Sequence, residues 1–150
     1  MASWVVEMSK EQLGRDLKLV DDLMDKELGS DLAINPSGDL DTVSEEINLG
    51  QAIVNRIRTT RGELSDLGHS LYGSRLYELI GEPNNERTRE LARLYTRECV
   101  SRDPRVKEVV SITVDVPKDA PTRIDINISV IPLGMTAVLN IVFPFYLEVA

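Results

Sequence analysis

The last third of the chain follows a two-residue hydrophobic period, and this pattern constrains the fold more than any other feature. Two segments place apolar residues at alternate positions: Val110, Ile112, Val114 and Val116, then Ile124, Ile126, Ile128 and Val130. Polar residues fill most of the intervening positions, so each segment predicts a β-strand with one buried and one solvated face. A short connection with two prolines, residues 117–122, joins them. The spacing therefore predicts adjacent antiparallel strands.

A third apolar run follows a Pro-Leu-Gly turn at residues 132–134 and covers residues 135–149. This run is apolar on both faces as far as Phe143, which predicts either a central strand or a strand that a partner covers. Together the three segments predict an antiparallel meander. With helices on its apolar face, the fold class is α+β: a small antiparallel or mixed sheet with two to three helices packed on one face. We expect a flexible N-terminal arm at residues 1–14 and a single domain at residues 15–150.

The middle of the chain predicts helices. Thr42 with Glu45 three residues on forms a capping-box pattern, so a first helix should begin there and run to about Arg58 or Thr59. Its expected apolar stripe comprises Val43, Ile47, Gly50, Val54 and Ile57.

Residues 84–103 give the clearest helical pattern, and Pro104 should stop that helix. Its apolar positions are Leu91, Leu94, Tyr95 and Cys99. A short helix is expected at residues 74–80 and a loop at residues 60–74.

The region before the first helix reads as extended chain. Residues 15–20 predict a short strand or an extended arm, and residues 31–43 predict a hairpin around a Pro-Ser-Gly turn.

Charge is distributed unevenly. The 150 residues carry a formal net charge of -8, and residues 1–50 alone account for that value, with 4 basic and 12 acidic side chains. Residues 51–105 contain ten arginines and no lysine, interleaved with 8 acids. An acidic N-terminal third repels nucleic acid, so direct nucleic-acid binding is not expected. Arginine without lysine favours forked hydrogen bonding to carboxylates and carbonyls, which is typical of a docking surface. The acidic third would face a basic partner or keep the unassembled chain soluble.

Residue types needed for common catalytic and metal sites are scarce. The chain has one histidine, His69, and one cysteine, Cys99, so multi-histidine zinc sites and internal disulfides are excluded. No phosphate-binding glycine loop occurs, and we expect no cofactor and no metal. Paired carboxylates for glycoside hydrolysis remain conceivable, with Glu63 beside Glu78 or Glu82. The chain contains neither a signal-peptide pattern nor a bilayer-length apolar run, which predicts synthesis in a reducing cytoplasm without membrane insertion.

Two short elements combine a glycine or proline, which interrupts regular structure, with a charged residue at the edge of a helix: Gly62-Glu63, and Asp103-Pro104-Arg105. Helix capping explains these two elements as well as partner docking does. Asp103 lies at the unfavourable end of a helix dipole, so a cation should lie close to it, either from Arg105 in the same chain or from a partner.

Three segments in this order resemble a known family: "GDLDTVSEEINLGQAIVNRIRTTRGEL", "YGSRLYELIGEP" and "LYTRECVSRDPRVKEV". They are similar to the baseplate assembly protein W family of contractile-tailed phages. That family includes the wedge protein at the sheath base of T-even phages and the matching type VI secretion baseplate subunit. The resemblance covers residues 38–130. In many relatives the acidic-Pro-Arg element begins with glutamate, whereas this chain has Asp103.

The resemblance implies a non-enzymatic structural subunit of the inner baseplate of a phage tail, tailocin or related particle. The implied partners are baseplate wedge proteins, the sheath protein and inner tube or hub proteins, with six copies per particle. Sheath assembly would begin by strand addition at the strands near residues 122–143 or at the N-terminal arm. Residues expected to contact partners are Asp103, Pro104, Arg105, Glu63 and Arg61. Two alternatives stand beside it: a lysozyme-like peptidoglycan hydrolase of the baseplate with Glu63 as its acid, and a free cytoplasmic regulator that binds one partner.

Overall fold

The computed structural model describes residues 13–20 and 31–148. These residues form seven strands and two α-helices. In chain order they are β1 (Arg15–Leu17), β2 (Leu19–Val20), β3 (Asp31–Leu32), β4 (Thr42–Ser44), α1 (Glu45–Arg58), α2 (Glu86–Ser101), β5 (Val106–Asp115), β6 (Arg123–Pro132) and β7 (Leu139–Tyr146). Two 3-10 helices, Ser65–Leu67 and Leu76–Leu79, lie between α1 and α2. The predicted α+β class is confirmed.

Strands β5, β6 and β7 form an antiparallel meander in that order. The predicted alternation is confirmed most clearly in β6, where every second residue from Ile124 to Pro132 is buried. The expectation that the last apolar run forms a central strand is wrong, because neighbours in the chain pair in sequence and the middle strand is β6. Strand β7 lies at an edge of the described meander. Of the two alternatives for this apolar run, coverage by a partner stays a prediction.

Both helices pack on the apolar face of this sheet. The core joins one buried face of each helix to the inward side chains of the meander. Its buried members include Leu49, Ile53, Ile57, Ala92, Cys99, Val100, Ile112, Ile124, Ile126, Ile128, Val130 and Phe143. The core therefore joins both helices to the meander in one continuous cluster.

Helix α1 begins later than predicted. Thr42 is paired with Leu17 in the β1–β4 ladder, so Ser44 becomes the N-cap residue and the capping-box prediction is wrong. The C-terminal end at Arg58 is confirmed. The buried face is Asn48, Leu49, Ile53 and Ile57, whereas Ile47 is 71% exposed. Two stripes fit a 3.6-residue period in this segment, and the packing against the sheet selects the one that contains Leu49 and Ile53.

Helix α2 confirms the predicted long helix. Asn85 caps its first turn by accepting a 2.9 Å hydrogen bond from the Thr88 backbone N–H. Cys99 is fully buried, as expected of a small apolar residue. Leu94, predicted to lie on the apolar side, is 45% exposed, because the buried face runs through Ala92, Thr96 and Val100 instead.

The N-terminal segment is attached to α1 by its backbone. Gln51 accepts from the Leu19 N–H at 2.9 Å and donates to the Leu17 carbonyl at 2.8 Å. Asn48 donates to the carbonyl of Leu13, which is fully buried. The predicted hairpin at residues 31–43 is present, with a bridge between Ile34 and Leu40. The proposed arm, apart from its last two residues, lies outside the described residues.

Candidate functional site

The Tyr-Gly-Ser motif closes a tight junction at the end of α1. Ser74 donates its hydroxyl to the Ile57 carbonyl at 2.6 Å and its N–H to the Thr59 carbonyl at 2.8 Å. The Arg61 N–H in turn donates to the Ser74 carbonyl at 3.0 Å. Gly73 has φ +103°, and a Cβ there would lie 2.5 Å from the Thr59 carbonyl oxygen. Only glycine fits, and the junction holds residues 59–61 against residues 72–74.

Beside this junction lies a buried carboxylate. The side chain of Asp103 is 1% exposed. Arg105 donates to it from Nε at 3.0 Å, from Nη2 at 2.8 Å and from its backbone N–H at 3.0 Å. The Nη2 atom of Arg56 lies 3.8 Å from the same carboxylate. The cation expected near the C-terminal end of α2 therefore comes from the same chain.

Burial and pairing act in opposite directions on this carboxylate. Burial raises the pKa of Asp103, but the side-chain and backbone hydrogen bonds from Arg105 and the charge of Arg56 outweigh it, and the net pKa is lowered. The side-chain hydrogen bonds that Arg105 donates to Asp103 raise the pKa of Arg105. The pair is thus fully charged at neutral pH, and its geometry is the bidentate fork that arginine forms with carboxylates.

A second carboxylate is shared by two arginines. The Oε1 atom of Glu98 lies 3.1 Å from Nη2 of Arg61 and 3.1 Å from Nη2 of Arg102. Arg102 also donates to the Leu71 carbonyl at 3.4 Å. We call Arg56, Arg61, Arg102, Arg105, Glu98 and Asp103 the arginine cluster. It contains four guanidinium groups and two carboxylates.

The arginine cluster has unused donors. The buried Nε atoms of Arg56 and Arg61 have no hydrogen-bond acceptor, and neither does Nη2 of Arg61 despite its short distance to Glu98. The Arg56 guanidinium stacks 4.4 Å from the centroid of the Tyr72 ring. A groove of about 490 Å³ opens beside Arg56 and Arg102. The site is therefore a concave surface that carries four guanidinium groups against two carboxylates.

The predicted site residues divide into three groups. Arg61, Asp103 and Arg105 lie together in the arginine cluster. Pro104 is exposed next to it. Glu63 is exposed in the turn that follows Arg61 and accepts a 3.2 Å hydrogen bond from the Thr60 N–H, so its structural contact is a local turn closure.

Sequence reasoning did not identify Arg56 and Glu98 as members of this site. The Glu98–Arg102 spacing was visible as an i,i+4 helix pair. No local signal assigns Arg56 to Asp103, since Arg56 lies in α1 and Asp103 follows the end of α2.

The edge strand β7 is a second candidate surface. Its eight residues pair with β6 without irregularity, and none of them carries a charge. Strand β5, the other edge, has two register irregularities and contains Lys107, Glu108 and Asp115. Bulges and charges protect sheet edges against pairing with other chains. Within the described meander β7 therefore keeps the more regular edge, in which Pro144 lacks one outward N–H donor.

The orientation of the β7 backbone follows from its end. The Leu147 N–H donates to the Thr122 carbonyl at 2.9 Å, so the N–H groups of Phe145 and Phe143 also face β6. The backbone groups of Pro144 and Val142 then point away from the sheet. A proline at an outward position is compatible with an edge strand.

Groups typical of metal and membrane-spanning sites are absent from the described residues. Within them no group of three or more metal-ligating side chains occurs. None of the helices in residues 13–20 and 31–148 is long and apolar enough to cross a bilayer. Burial raises the pKa of Cys99 to about 11, which keeps the thiol protonated and weakly reactive.

Comparisons with known proteins agree with this description. No match is found among curated protein sequences. A solved structure from Geobacter sulfurreducens, described as a candidate tail lysozyme, superposes with a TM-score of 0.60 at 24% identity, covering 70% of this chain and 93% of the other. That likeness shows a shared fold. The family described as the contractile injection system sheath initiator matches residues 20–132. This chain therefore belongs to the sheath initiator family of contractile injection systems.

Proposed function

We propose that this chain joins the wedge proteins of a baseplate to the first ring of sheath subunits, and that it starts sheath assembly by accepting a strand at β7. Family membership makes it a structural component of a contractile injection system baseplate. The observation that carries the finer proposal is the regular and uncharged strand β7 at the edge of the meander that the described residues form. An added strand would bind by main-chain hydrogen bonds, as in other cases of β-augmentation.

Attachment to wedge proteins is assigned to the arginine cluster. Its excess of guanidinium groups, four against two carboxylates, favours a partner that presents carboxylates or free carbonyl oxygens. Buried Asp103 would act by holding Arg105 and Pro104 in place rather than by touching the partner. Six copies around a central tube, assembled from the cytoplasm, complete the proposal, with inner tube or hub proteins as further neighbours.

A proline substitution tests strand addition. Val142→Pro removes an outward N–H of β7 without removing a bond to β6, so the fold should persist. Val138→Pro, in the exposed residue just before the strand, is the matched control. Co-purification with sheath protein and particle imaging should show loss of sheath for Val142→Pro and normal sheath for the control. Normal sheath on particles that carry Val142→Pro would contradict strand addition at this edge.

Wedge binding is tested separately. Arg61→Met should weaken co-purification with wedge proteins, while Arg93→Met, which removes an exposed pair with Glu90 on α2, should leave it unchanged. Arg105→Ala should reduce baseplate assembly as well. Wild-type levels of assembly for Arg61→Met and Arg105→Ala would remove the docking role of the cluster.

The hydrolase alternative finds no support in the geometry. A general acid for glycoside hydrolysis needs a raised pKa, usually from apolar surroundings. Glu63 is exposed. The hydrogen bond from Arg75 lowers the pKa of Glu78, opposite to the direction required. We therefore propose a non-enzymatic role, and purified protein should not clear isolated cell wall. Clearing that Glu63→Gln abolishes would overturn this.

A free regulator would behave differently in cells. It would be recovered as a soluble complex with one partner while assembled particles lack it. Immunogold labelling at the baseplate end of isolated particles distinguishes the two functions.

A further inference from the structure

A pocket of about 250 Å³ lies beside β7, the edge strand of the described meander. Its polar side consists of Arg58, Thr59, Thr60 and Ser74. Its apolar wall consists of Ile57, Leu76, Tyr77, Ile80, Phe143 and Phe145. Tyr77 and Ile80 are 44% and 42% exposed, so the apolar wall of the pocket contains large side chains that solvent reaches.

The pocket is continuous with the strand edge. Phe143 and Phe145 pair with Ile126 and Ile124 of β6, so their side chains lie on the core-facing side of the sheet. A strand added to β7 would lie about 4.8 Å beyond it. The core-facing side chains of that strand would stand beside Phe143 and Phe145, above Tyr77 and Ile80. Its other side chains would stand beside Val142, on the solvent face.

We propose that this pocket receives a large apolar side chain, aromatic or branched aliphatic, from the sheath strand that adds to β7. The inference rests on the proposed function and adds the anchor that selects and registers the strand. Size supports it, since a cavity of about 150 Å³ lined by Leu, Ile and Phe already holds a benzene ring. Main-chain bonds alone do not fix register, because a shift by two residues preserves them, whereas one apolar anchor does.

The first experiment uses synthetic 15-residue peptides that tile the sheath protein of the same particle. Wild-type protein should bind one peptide that has apolar residues at alternate positions. Ile80→Glu and Tyr77→Ala should weaken that binding about 10- to 100-fold, the effect of losing one buried large side chain. Leu67→Glu, an exposed leucine in the loop after Arg61, is the control and should bind normally. Unchanged affinity in both pocket variants would overturn the proposal.

Photocrosslinking identifies the occupant directly. A benzoylphenylalanine at Tyr77 and another at Val142 should label the same sheath segment in assembled particles, at positions an odd number of residues apart, since they lie on opposite faces of the sheet. Labelling of a second copy of this chain, or of another segment of the same chain, would show that the pocket has a different occupant.

The two proposals fail in different ways. If Val142→Pro abolishes peptide binding and the pocket variants do not weaken it, strand addition stands and the anchor pocket is wrong. If Val142→Pro binds the peptide normally, strand addition at β7 is itself wrong.

Discussion

Replacing Arg105 with methionine is expected to destabilise the protein by about 2–3 kcal/mol. Methionine keeps much of the aliphatic volume but removes the Nε and Nη2 donors, which lie 3.0 and 2.8 Å from the Asp103 carboxylate. Removing one partner of a buried ion pair costs about 3–5 kcal/mol. The expected cost is at or below the lower end of that range because the Arg105 side chain is 26% exposed and Asp103 keeps two interactions, the backbone N–H of residue 105 and Arg56.

Thermal unfolding followed by circular dichroism measures this cost. In a chain of this length 1 kcal/mol shifts Tm by about 2–4 °C, so Arg105→Met should melt about 4–12 °C below wild type at pH 7. The double variant Asp103→Asn/Arg105→Met should lose less than Arg105→Met alone, because no uncompensated buried charge remains. Arg93→Met, which breaks an exposed pair, should shift Tm by no more than about 2 °C.

The pH dependence has a definite sign. The folded-state pKa of Asp103 is lowered, so its ion pair stabilises the protein above the unfolded-state value near 3.8 and the effect is lost as pH falls through the folded-state pKa. In Arg105→Met, burial still disfavours the charged form of Asp103, but the side-chain hydrogen bonds from Arg105 that offset this effect are gone. The difference between wild type and variant should therefore be largest at neutral pH and shrink below about pH 4. A Tm difference under about 2 °C that does not change between pH 4 and pH 7 would refute the reasoning.

Three further predictions concern the junction, the core and the strand edge. Gly73→Ala should destabilise the protein by about 3 kcal/mol, because the residue has a positive φ and its Cβ would lie 2.5 Å from the Thr59 carbonyl oxygen. Gly38→Ala also has a positive φ but lies in open space, so it should cost about 1 kcal/mol. Urea titrations measure both costs. Equal costs would mean that the close approach to Thr59 is absent. Cys99 should resist Ellman's reagent at pH 8 in the native protein and react with one equivalent in denaturant, since burial raises its pKa to about 11; rapid native labelling would contradict its burial. Val142→Pro should keep its Tm within about 4 °C of wild type while losing sheath, because the lost N–H points out of the sheet; a collapse in Tm would show that this N–H serves β6 instead.

Much of the fold could be read from local patterns. The alternation through residues 124–130 requires a half-buried strand, and Asn85 and Pro104 delimit α2, since caps and helix breakers act within one turn. The three segments that resemble the baseplate family lie within the residues that the sheath initiator family matches. These signals are short-range, so they survive without knowledge of the tertiary structure.

The buried face of α1 and the position of β7 could not be read in this way. Periodicity permits two stripes on α1, and only packing against the sheet exposes Ile47 and buries Leu49. An apolar run does not reveal whether a strand is central or at an edge, because that depends on which neighbours arrive from elsewhere in the chain.

The candidate site shows the same division. The need of Asp103 for a nearby cation could be predicted from the chain, because helix-dipole electrostatics are local. Three contacts depend on the folded chain: Arg105 supplies that cation, Arg56 joins from α1, and Glu98 is shared by Arg61 and Arg102. The pocket beside β7 arises in the same way, from residues 57–80 meeting residues 143–145. Such contacts follow from burial of the common core, which brings together side chains that no sequence spacing relates.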